Sequence, residues 1–200
     1  MLRYDVINAV ARQIGARTYL EIGVQDGNTF RRVEVAKKVG VDPHDGSQAT
    51  VFKTSEAFFE LAEADGPWDL VFVDGLHERG AALADLWASA ARLSPGGAIV
   101  VHDCSPPTAE SASPKLSAGT WCGEVWRAWV EFCAAHPLGA SSFVVDTDLG
   151  CGVLGGTWSP VRRPVPSLSD ADAPWEEFAA RRRELLGLVS PAEFLARLSA

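Results

Sequence analysis

Residues 18–28 read TYLEIGVQDGN, a short run rich in β-forming residues that stops in a turn. Residues 68–74, WDLVFVD, form a longer apolar run of the kind that is buried on both faces of a parallel sheet. Residues 98–103, AIVVHD, form another predicted strand, and a helix is predicted over residues 80–93 between the two. Because strands alternate with helices, the sequence predicts an α/β protein with a doubly wound, mostly parallel sheet.

The flanking sequence completes this architecture. Further helices are predicted at residues 4–14, 29–36 and 121–135, and a further short strand at residues 38–42. Residues 142–146 and 151–154 are two β-rich segments joined by a short turn sequence. Such a pair predicts an antiparallel hairpin at the C-terminal edge of the sheet.

Residues 158–200 differ in composition from the rest of the chain. They begin with Pro160, Pro164 and Pro166 and continue into two helical stretches. We therefore predict one domain at residues 1–157, followed by a proline-rich linker and a helical extension at residues 158–200. The apolar residues of the extension need a partner surface, which is either the chain's own sheet or a second subunit of a homo-oligomer.

Composition and charge exclude several classes of protein. The chain has 200 residues, of which 47% are hydrophobic and 22% charged, so it can fill the core of a domain. Its net charge of −8 argues against nucleic acid as a partner. No apolar run reaches the roughly 18 residues that a membrane span needs. The N-terminal residues do not resemble a signal peptide, so we expect a cytoplasmic protein whose four cysteines are free thiols.

Four carboxylates lie within or at the ends of the predicted strands: Glu21, Asp42, Asp74 and Asp103. One such residue alone could be a capping or turn carboxylate. Four together are costly to bury, because each carboxylate loses its hydration free energy unless an opposite charge or a hydrogen-bond donor compensates for it. Open α/β sheets bind ligands at the carboxyl ends of their strands, so these residues predict a cleft that holds a polar ligand.

Several short motifs carry a family resemblance. Residues 21–27 (EIGVQDG) and 41–43 (VDP) resemble the first two motifs of class I S-adenosylmethionine-dependent methyltransferases. Other motifs are similar to those of the small bacterial subfamily called methyltransferase family 24: TSEAFF at 54–59, FVDGLH at 72–77, LSPGG at 93–97, VHD at 101–103, GEVW at 123–126 and DLGCGV at 148–153. The resemblance covers residues 1–157. It implies a Rossmann-like fold and an enzyme that uses S-adenosylmethionine as methyl donor.

The resemblance implies which residues contact the methionine part of this cofactor. Gly23 and Gly27 would let the backbone approach it, because glycine has no Cβ. Glu21 would hold the amino group or organise the turn. Gln25 replaces the middle glycine of the usual motif, so its side chain must point away from the cofactor.

The adenosine part has its own implied residues. Asp42 would accept hydrogen bonds from both ribose hydroxyls, as a carboxylate at this position does in dinucleotide-binding folds. Ser55 and Glu56 would lie near the adenine. Asp74, at the end of its strand, is implied to face the cofactor as well.

The acceptor side is expected to contain a base and a possible metal. In related O-methyltransferases of small molecules and sugars, acids after the fourth and fifth strands hold a divalent cation that lowers the pKa of the acceptor hydroxyls. Asp74 matches the first of these positions, and the second reads His102-Asp103. These three residues could hold Mg or Mn, or a softer ion such as Fe, Co or Zn. Without a metal, His77 or His102 would be the base, so the catalytic candidates are Asp74, His77 and His102.

The expected reaction is O-methylation of a hydroxylated small molecule, a sugar or a specialised metabolite, with N-methylation as the alternative. Trp121 is the best candidate for contact with the acceptor, and the loop at residues 105–119 is predicted to close over the site. Asp85 is predicted to lie on the polar side of its helix, as a solvated or structural acid.

Two other functions compete with this interpretation. A nicotinamide enzyme would need the pattern GxGxxG after the first strand, which the sequence around Gly23 lacks. A non-catalytic nucleotide- or cofactor-binding module would have a cofactor pocket without a base. His77 and His102, near the predicted strand ends, favour an enzyme.

Overall fold

A seven-stranded sheet with helices on both faces forms the protein. The computed structural model describes residues 1–116, 119–156, 158 and 164–198. In these residues the strands are β1 (Thr18–Ile22), β2 (Lys37–Val41), β3 (Trp68–Val73), β4 (Leu93–Val101), β5 (Phe143–Val145), β6 (Cys151–Gly155) and β7 (Leu188–Val189). The α-helices are α1 (Arg3–Ile14), α2 (Ser55–Phe59), α3 (Arg79–Ala90), α4 (Val125–Ala135), α5 (Trp175–Leu186) and α6 (Pro191–Leu198).

The strand order is β2-β1-β3-β4-β6-β5-β7. The first four strands in this order are parallel, and β6 runs antiparallel to both β4 and β5. The two-residue strand β7 adds to β5 in parallel. The predicted mostly parallel sheet with an antiparallel hairpin is therefore confirmed. Because β2 and β3 lie on opposite sides of β1, a crevice is expected at the carboxyl ends of β1 and β3.

Residues of β3 alternate between two apolar layers, as successive residues of a strand must. Leu70 and Phe72 belong to one layer, together with apolar residues of α1 and α6. Val71 and Val73 belong to the other layer, together with apolar residues of α3, α4 and α5. All four side chains are at most 3% exposed. The predicted burial of this strand on both faces is confirmed.

The prediction of a helix at residues 29–36 is wrong. Only a short 3₁₀ turn forms there, at Phe30–Arg32. The side chain of Asn8 explains the difference. Its Nδ2 donates to the carbonyl of Arg32 at 2.8 Å, and its Oδ1 accepts from the backbone N–H of Glu34 at 2.8 Å. These backbone groups would pair within a helix, and the amide of Asn8 holds them extended instead.

The C-terminal extension packs on the chain's own core. Phe178 of α5 stacks on Trp126 of α4 with ring centroids 3.9 Å apart. Phe194 of α6 is fully buried, with its ring centroid 6.1 Å from that of Phe143. Much of the proline-rich linker predicted from residue 158 lies outside the described residues, and the domain boundary stays a prediction. None of the described helices is long and apolar enough to cross a membrane.

The first part of the loop at residues 105–119 is anchored. The backbone carbonyl of Ser111 accepts from the N–H groups of Cys122 and Gly123 at 2.8 and 3.0 Å, and Ser111 is buried. The indole Nε1 of Trp121 donates to the carbonyl of Ser113 at 2.7 Å. Residues 117 and 118 lie outside the described residues, so closure of this loop stays a prediction.

Two glycine substitutions test the packing of the sheet against α4. In Gly152→Ala, the new Cβ would overlap the buried indole ring of Trp129. We expect Gly152→Ala to lower the free energy of unfolding by about 1–3 kcal/mol, as overpacking does. In the matched control Gly80→Ala the Cβ meets nothing within 4 Å, on the exposed side of α3. The control should raise stability by up to about 1 kcal/mol in urea unfolding. Equal effects of the two variants would contradict this account.

Candidate active site

Two cavities open at the carboxyl ends of β1 and β3. The first cavity, of 860 Å³, lies between these strand ends, the end of β2, and helices α2 and α3. The second cavity, of 380 Å³, lies between the loop after β1 and the first turn of α1. Gly23, Gln25 and Asp74 line both. The two cavities therefore meet at the point where the chain leaves β1 and β3.

The loop after β1 depends on its glycine. Gly23 has φ +86°, and a Cβ at this position would overlap the backbone carbonyl of Asp74. Gln25 also takes the left-handed conformation, with φ 47°, and its N–H donates to Asp42 Oδ2 at 2.8 Å. This bond shows how the turn accommodates a residue other than glycine. Gly27 has φ +70° but lines neither cavity.

The residues implied for ribose and adenine line the first cavity. Asp42 is 6% exposed, and its Oδ1 accepts from the N–H of His44 at 2.9 Å. Ser55 and Glu56 line the same cavity from the start of α2, where Thr54 caps the helix by accepting from Ala57 N–H. The fold thus brings together side chains that lie far apart in the sequence.

Glu21 lies in the second cavity, almost fully buried. Burial raises its pKa to about 8, although the hydroxyl of Tyr19 donates to Glu21 Oε2 at 2.5 Å and opposes that shift. The other carboxylate oxygen, Oε1, is buried without a hydrogen-bond partner. A polar atom in this state is suited to a ligand group that donates a hydrogen bond.

Four of the predicted catalytic and metal residues converge beside the two cavities. His77 Nε2 lies 3.4 Å from Asp74 Oδ1 and 3.2 Å from Asp103 Oδ2. His102 Nδ1 lies 3.3 and 3.1 Å from the same two oxygens. Asp103 takes the left-handed conformation, with φ 60°, directly after β4. We call Asp74, His77, His102 and Asp103, together with Asp148, the acid–histidine cluster.

Two residues of this region, Arg3 and Asp148, are not among those that the sequence predicts for the site. Arg3 pairs with Asp74 Oδ2 through Nη1 and with Asp148 Oδ2 through Nε, both at 3.0 Å. Asp148 Oδ1 lies 3.7 Å from His102 Nε2. Asp148 belongs to a motif that carried the family resemblance, but only the antiparallel pairing of β6 with β4 brings it to the cluster. No local pattern marked Arg3, which precedes the apolar stripe of α1.

The carboxylates determine the protonation of the two histidines. Burial lowers the pKa of His102, but the charge of Asp74 and contacts with Asp103 and Asp148 raise it well above its ordinary value. The pKa of His77 is also raised, because contacts with Asp74 and the charge of Asp103 outweigh its burial. Burial would raise the pKa of Asp74, but His102 holds it far below its usual range. By itself, the cluster favours protonated imidazoles between ionised carboxylates.

The same residues fit a divalent cation. Asp74, His102 and Asp103 each offer one ligand atom, and these atoms lie within 4.8 Å of one another. Both ring nitrogens of His102, and Oδ1 of Asp103, are buried without an aligned hydrogen-bond partner, although carboxylates lie within ion-pair distance. Two carboxylates and an imidazole form a donor set that Mg, Mn and the later transition metals accept.

The segment before α4 contacts His77 on the side of the ring opposite the cluster. Its Nδ1 lies 2.9 Å from the backbone carbonyl of Trp121, and the two rings lie 5.1 Å apart. A Cβ at Gly123 would overlap the carbonyl of His77, so this approach requires glycine. Because Nδ1 donates to a carbonyl, Nε2 is the nitrogen that faces Asp74 and Asp103.

The prediction for Asp85 is wrong in its placement. Asp85 is 4% exposed and lines the first cavity from α3, rather than lying on a solvated side of the helix. The large apolar residues of α3 predict its buried stripe, whereas its alanines, which carry little hydrophobic signal, form the wall of the cavity.

Comparisons with known proteins agree with this geometry. Residues 34–104 match the model of methyltransferase family 24, described as a methyltransferase domain. The matched segment runs from the residues before β2 to the cysteine after Asp103, and so includes Asp42, Asp74, His77 and His102. No curated protein matches the chain.

Solved structures with the same fold include several methyltransferases. A Klebsiella pneumoniae protein assigned as an O-methyltransferase aligns with TM-score 0.57 at 16% identity, covering 77% of this chain and 79% of that one. An O-methyltransferase from Bacillus cereus in complex with SAH aligns with TM-score 0.54 at 16% identity, covering 76% and 80%. The SAH-bound Podospora anserina methyltransferase PaMTH1 aligns with TM-score 0.54 at 14% identity, covering 77% of each chain.

The chain has the Rossmann-like fold of these methyltransferases, with a crevice at the carboxyl ends of β1 and β3. The match of residues 34–104 to the family 24 model confirms the predicted resemblance to S-adenosylmethionine-dependent methyltransferases of this type.

The buried Glu21 leads to a prediction about stability and pH. Its pKa in the folded chain is raised from 4.5 to about 8, so ionisation between these pH values favours the unfolded chain. Without cofactor, Glu21→Gln should therefore gain stability over the parent as pH rises, reaching on the order of 2–4 kcal/mol at pH 8.

Urea unfolding at intervals from pH 5 to pH 8 measures this difference. Glu176→Gln, which changes an exposed carboxylate on α5, is the control and should follow the parent at every pH. Parallel stability curves for the parent and Glu21→Gln would show that the buried carboxyl does not titrate in this range.

Proposed function

We propose that this protein transfers the methyl group of S-adenosylmethionine to a hydroxyl group of a small molecule, a sugar or a specialised metabolite. One observation carries the proposal. The acid–histidine cluster begins at Asp74, the same residue at which the two cavities meet. A cofactor that spans both cavities would therefore present its central sulfonium beside groups able to remove a proton.

The two cavities suit the two halves of the cofactor in relative size and in polarity. The larger cavity, which Asp42 and Ser55 line, suits the adenosine. Asp42 already accepts from two backbone N–H groups, and each of its oxygens has a further lone pair for a ribose hydroxyl. The smaller cavity suits the methionine part, with Glu21 Oε1 available to the ammonium group. Arg3 is the one basic residue among the described residues that line it.

Methyl transfer needs alignment and removal of a proton. The new oxygen–carbon bond forms as the carbon–sulfur bond breaks, the bonding electrons return to sulfur, and the acceptor hydroxyl loses its proton. His77 is the favoured base, because Trp121 fixes its ring and leaves Nε2 toward the cluster. The two carboxylates favour protonated His77, so Nε2 acts as base only after it has lost that proton; Asp74 and Asp103 then stabilise the imidazolium that forms when it accepts the proton of the acceptor.

A divalent cation would be held by Asp74, His102 and Asp103, and buried atoms of His102 and Asp103 have no hydrogen-bond partner of their own. When bound, it would lower the pKa of an acceptor hydroxyl and replace the protons that the carboxylates otherwise attract to the histidines. Arg3 and Asp148 would then orient Asp74 and His102 from outside the ligand set.

The acceptor is proposed to be small. The net charge of −8 and the acidic lining of the second cavity disfavour a polyanion such as RNA. An amine acceptor is the alternative within the same site, and it would be found by comparing alcohols with amines as substrates.

Cofactor binding is tested at Asp42. We expect Asp42→Ala to bind S-adenosylmethionine at least about tenfold more weakly in calorimetry, because both ribose contacts and the support of the Gln25 turn are lost. Asp42→Asn should be intermediate, since the amide oxygen still accepts. Asp45→Asn, an exposed neighbour that lines neither cavity, should bind like the parent. Unchanged affinity in Asp42→Ala would contradict the proposal that Asp42 binds the ribose hydroxyls.

Turnover is tested at the cluster. Asp74→Asn and Asp103→Asn should each lower kcat by at least about 100-fold, the typical scale of lost general-base or metal assistance. The control Asp65→Asn changes an exposed carboxylate that lines neither cavity and should retain kcat. If both cluster variants keep full turnover, the cluster is not the catalytic site.

Metal binding is measured separately from turnover. Calorimetric titration of metal-free protein with Mn should give a binding isotherm that His102→Ala abolishes. If chelator-treated enzyme keeps full activity and no isotherm appears, no metal takes part, and His77→Ala should then cause the greatest loss of turnover.

A further inference from the structure

Two carboxylate oxygens of the acid–histidine cluster are shared by two imidazoles. Asp74 Oδ1 lies 3.4 Å from His77 Nε2 and 3.3 Å from His102 Nδ1. Asp103 Oδ2 lies 3.2 and 3.1 Å from the same two nitrogens. The four atoms therefore form a closed ring in which nitrogen and oxygen alternate.

The spacing around this ring is close to that of ligands which share one ion. Two donors that each lie about 2.0–2.2 Å from a tetrahedral zinc ion are separated by roughly 3.3–3.6 Å. Charge-assisted hydrogen bonds between nitrogen and oxygen are shorter, at about 2.7–2.9 Å. His102 is 3% exposed, and both of its ring nitrogens are buried without an aligned hydrogen-bond partner. Hydrogen bonding therefore does not account for the position of this imidazole.

Each imidazole also has an outer partner of the kind that orients a metal-binding histidine. His77 Nδ1 donates to the backbone carbonyl of Trp121 at 2.9 Å, which leaves the lone pair on Nε2. His102 Nε2 faces Asp148 Oδ1 at 3.7 Å, and Arg3 holds the other oxygen of Asp148 at 3.0 Å. A histidine that binds a metal usually presents its second ring nitrogen to a carbonyl or a carboxylate, which fixes the ring and its tautomer.

The number of imidazoles determines which ions the site prefers. Mg binds oxygen ligands and usually keeps several of its waters. Imidazole suits zinc, iron and the other later transition metals. Without His77, the site offers one nitrogen and two carboxylates, a set that Mg and Mn also accept. With His77, half of the four ligands are imidazoles, and the preference changes to the transition metals.

We propose that His77 is the fourth ligand of the cation site, and that this site binds a divalent transition metal such as zinc, cobalt or iron in preference to Mg. The inference rests on the cation site of the proposed function and deepens it. When the ion is bound, His77 is a ligand and not the base, because the lone pair of Nε2 is used. In the metal-free protein, His77 stays the favoured base.

Cobalt(II) is the probe for the first experiment, because its visible absorption reports both binding and a change of ligands. Titration of the metal-free parent with cobalt should produce visible bands that about a hundredfold excess of Mg does not remove. His77→Ala should bind cobalt at least about tenfold more weakly and with altered bands. The control His44→Ala removes an imidazole that is 75% exposed and lines neither cavity, and it should titrate like the parent.

A second measurement does not depend on any variant. X-ray absorption at the zinc edge of the zinc-loaded parent counts the bound imidazoles through the scattering of their rings. We expect two imidazoles in the parent and one in His77→Ala. Thermal unfolding checks that the variants are folded. A loss of affinity through general damage to the site would not lower the number of imidazoles by one.

The results separate this inference from the proposed function. Two imidazoles in the parent, with weaker cobalt binding in His77→Ala alone, support the inference. A single imidazole in the parent, displacement of cobalt by Mg, equal affinities in the parent and His77→Ala, or no cobalt binding would each overturn it. Calorimetry of the metal-free parent with S-adenosylhomocysteine tests the cofactor independently. If that ligand does not bind, the proposed function fails whatever the result with cobalt and zinc.

Discussion

The close approach of Gly23 to the backbone carbonyl of Asp74 is the contact on which the site depends. It exists because Gly23 has no Cβ and takes φ +86°. The N–H of Asp74 donates to Ile22, and that of Gly23 donates to Val41, so the ends of three adjacent strands are fixed at one place. Both cavities and the acid–histidine cluster begin there. A larger residue would separate β1 from β3 and with them the two halves of the binding site.

Charge balance is the second constraint. Three carboxylates, Asp74, Asp103 and Asp148, lie near one another. In the part of the chain that the structure describes, one arginine pairs with them, and two imidazoles supply further positive charge. Carboxylates this close stay ionised only when positive charge, such as a protonated imidazole or a metal ion, lies between them. The cluster can therefore hold protons on its histidines or a metal ion among its acids. Both states keep Asp74 charged beside the cavities, where a sulfonium would be attracted.

The sequence predicted the sheet, most of its strands and the residues at the strand ends, because parallel strands carry strong apolar runs and end in turns. The extended segment after Phe30–Arg32 could not be predicted from the local sequence. Its conformation depends on hydrogen bonds from the side chain of Asn8, which lies on α1, distant in sequence. Arg3 and Asp148 were missed for the same reason. Asp85 was misplaced because alanines, which carry little hydrophobic signal, mark the cavity-facing side of α3.

The position of α1 has a consequence for how the protein moves. Its first turn lines the second cavity, Arg3 ties it to Asp148, and Thr147 donates to the carbonyl of Met1. These contacts hold the first turn of α1 against the second cavity. A ligand that fills the second cavity would hold the turn in place. Amide hydrogens at the start of α1 would then exchange more slowly, so departure of the bound molecule and release of the N-terminal turn would be one coupled event.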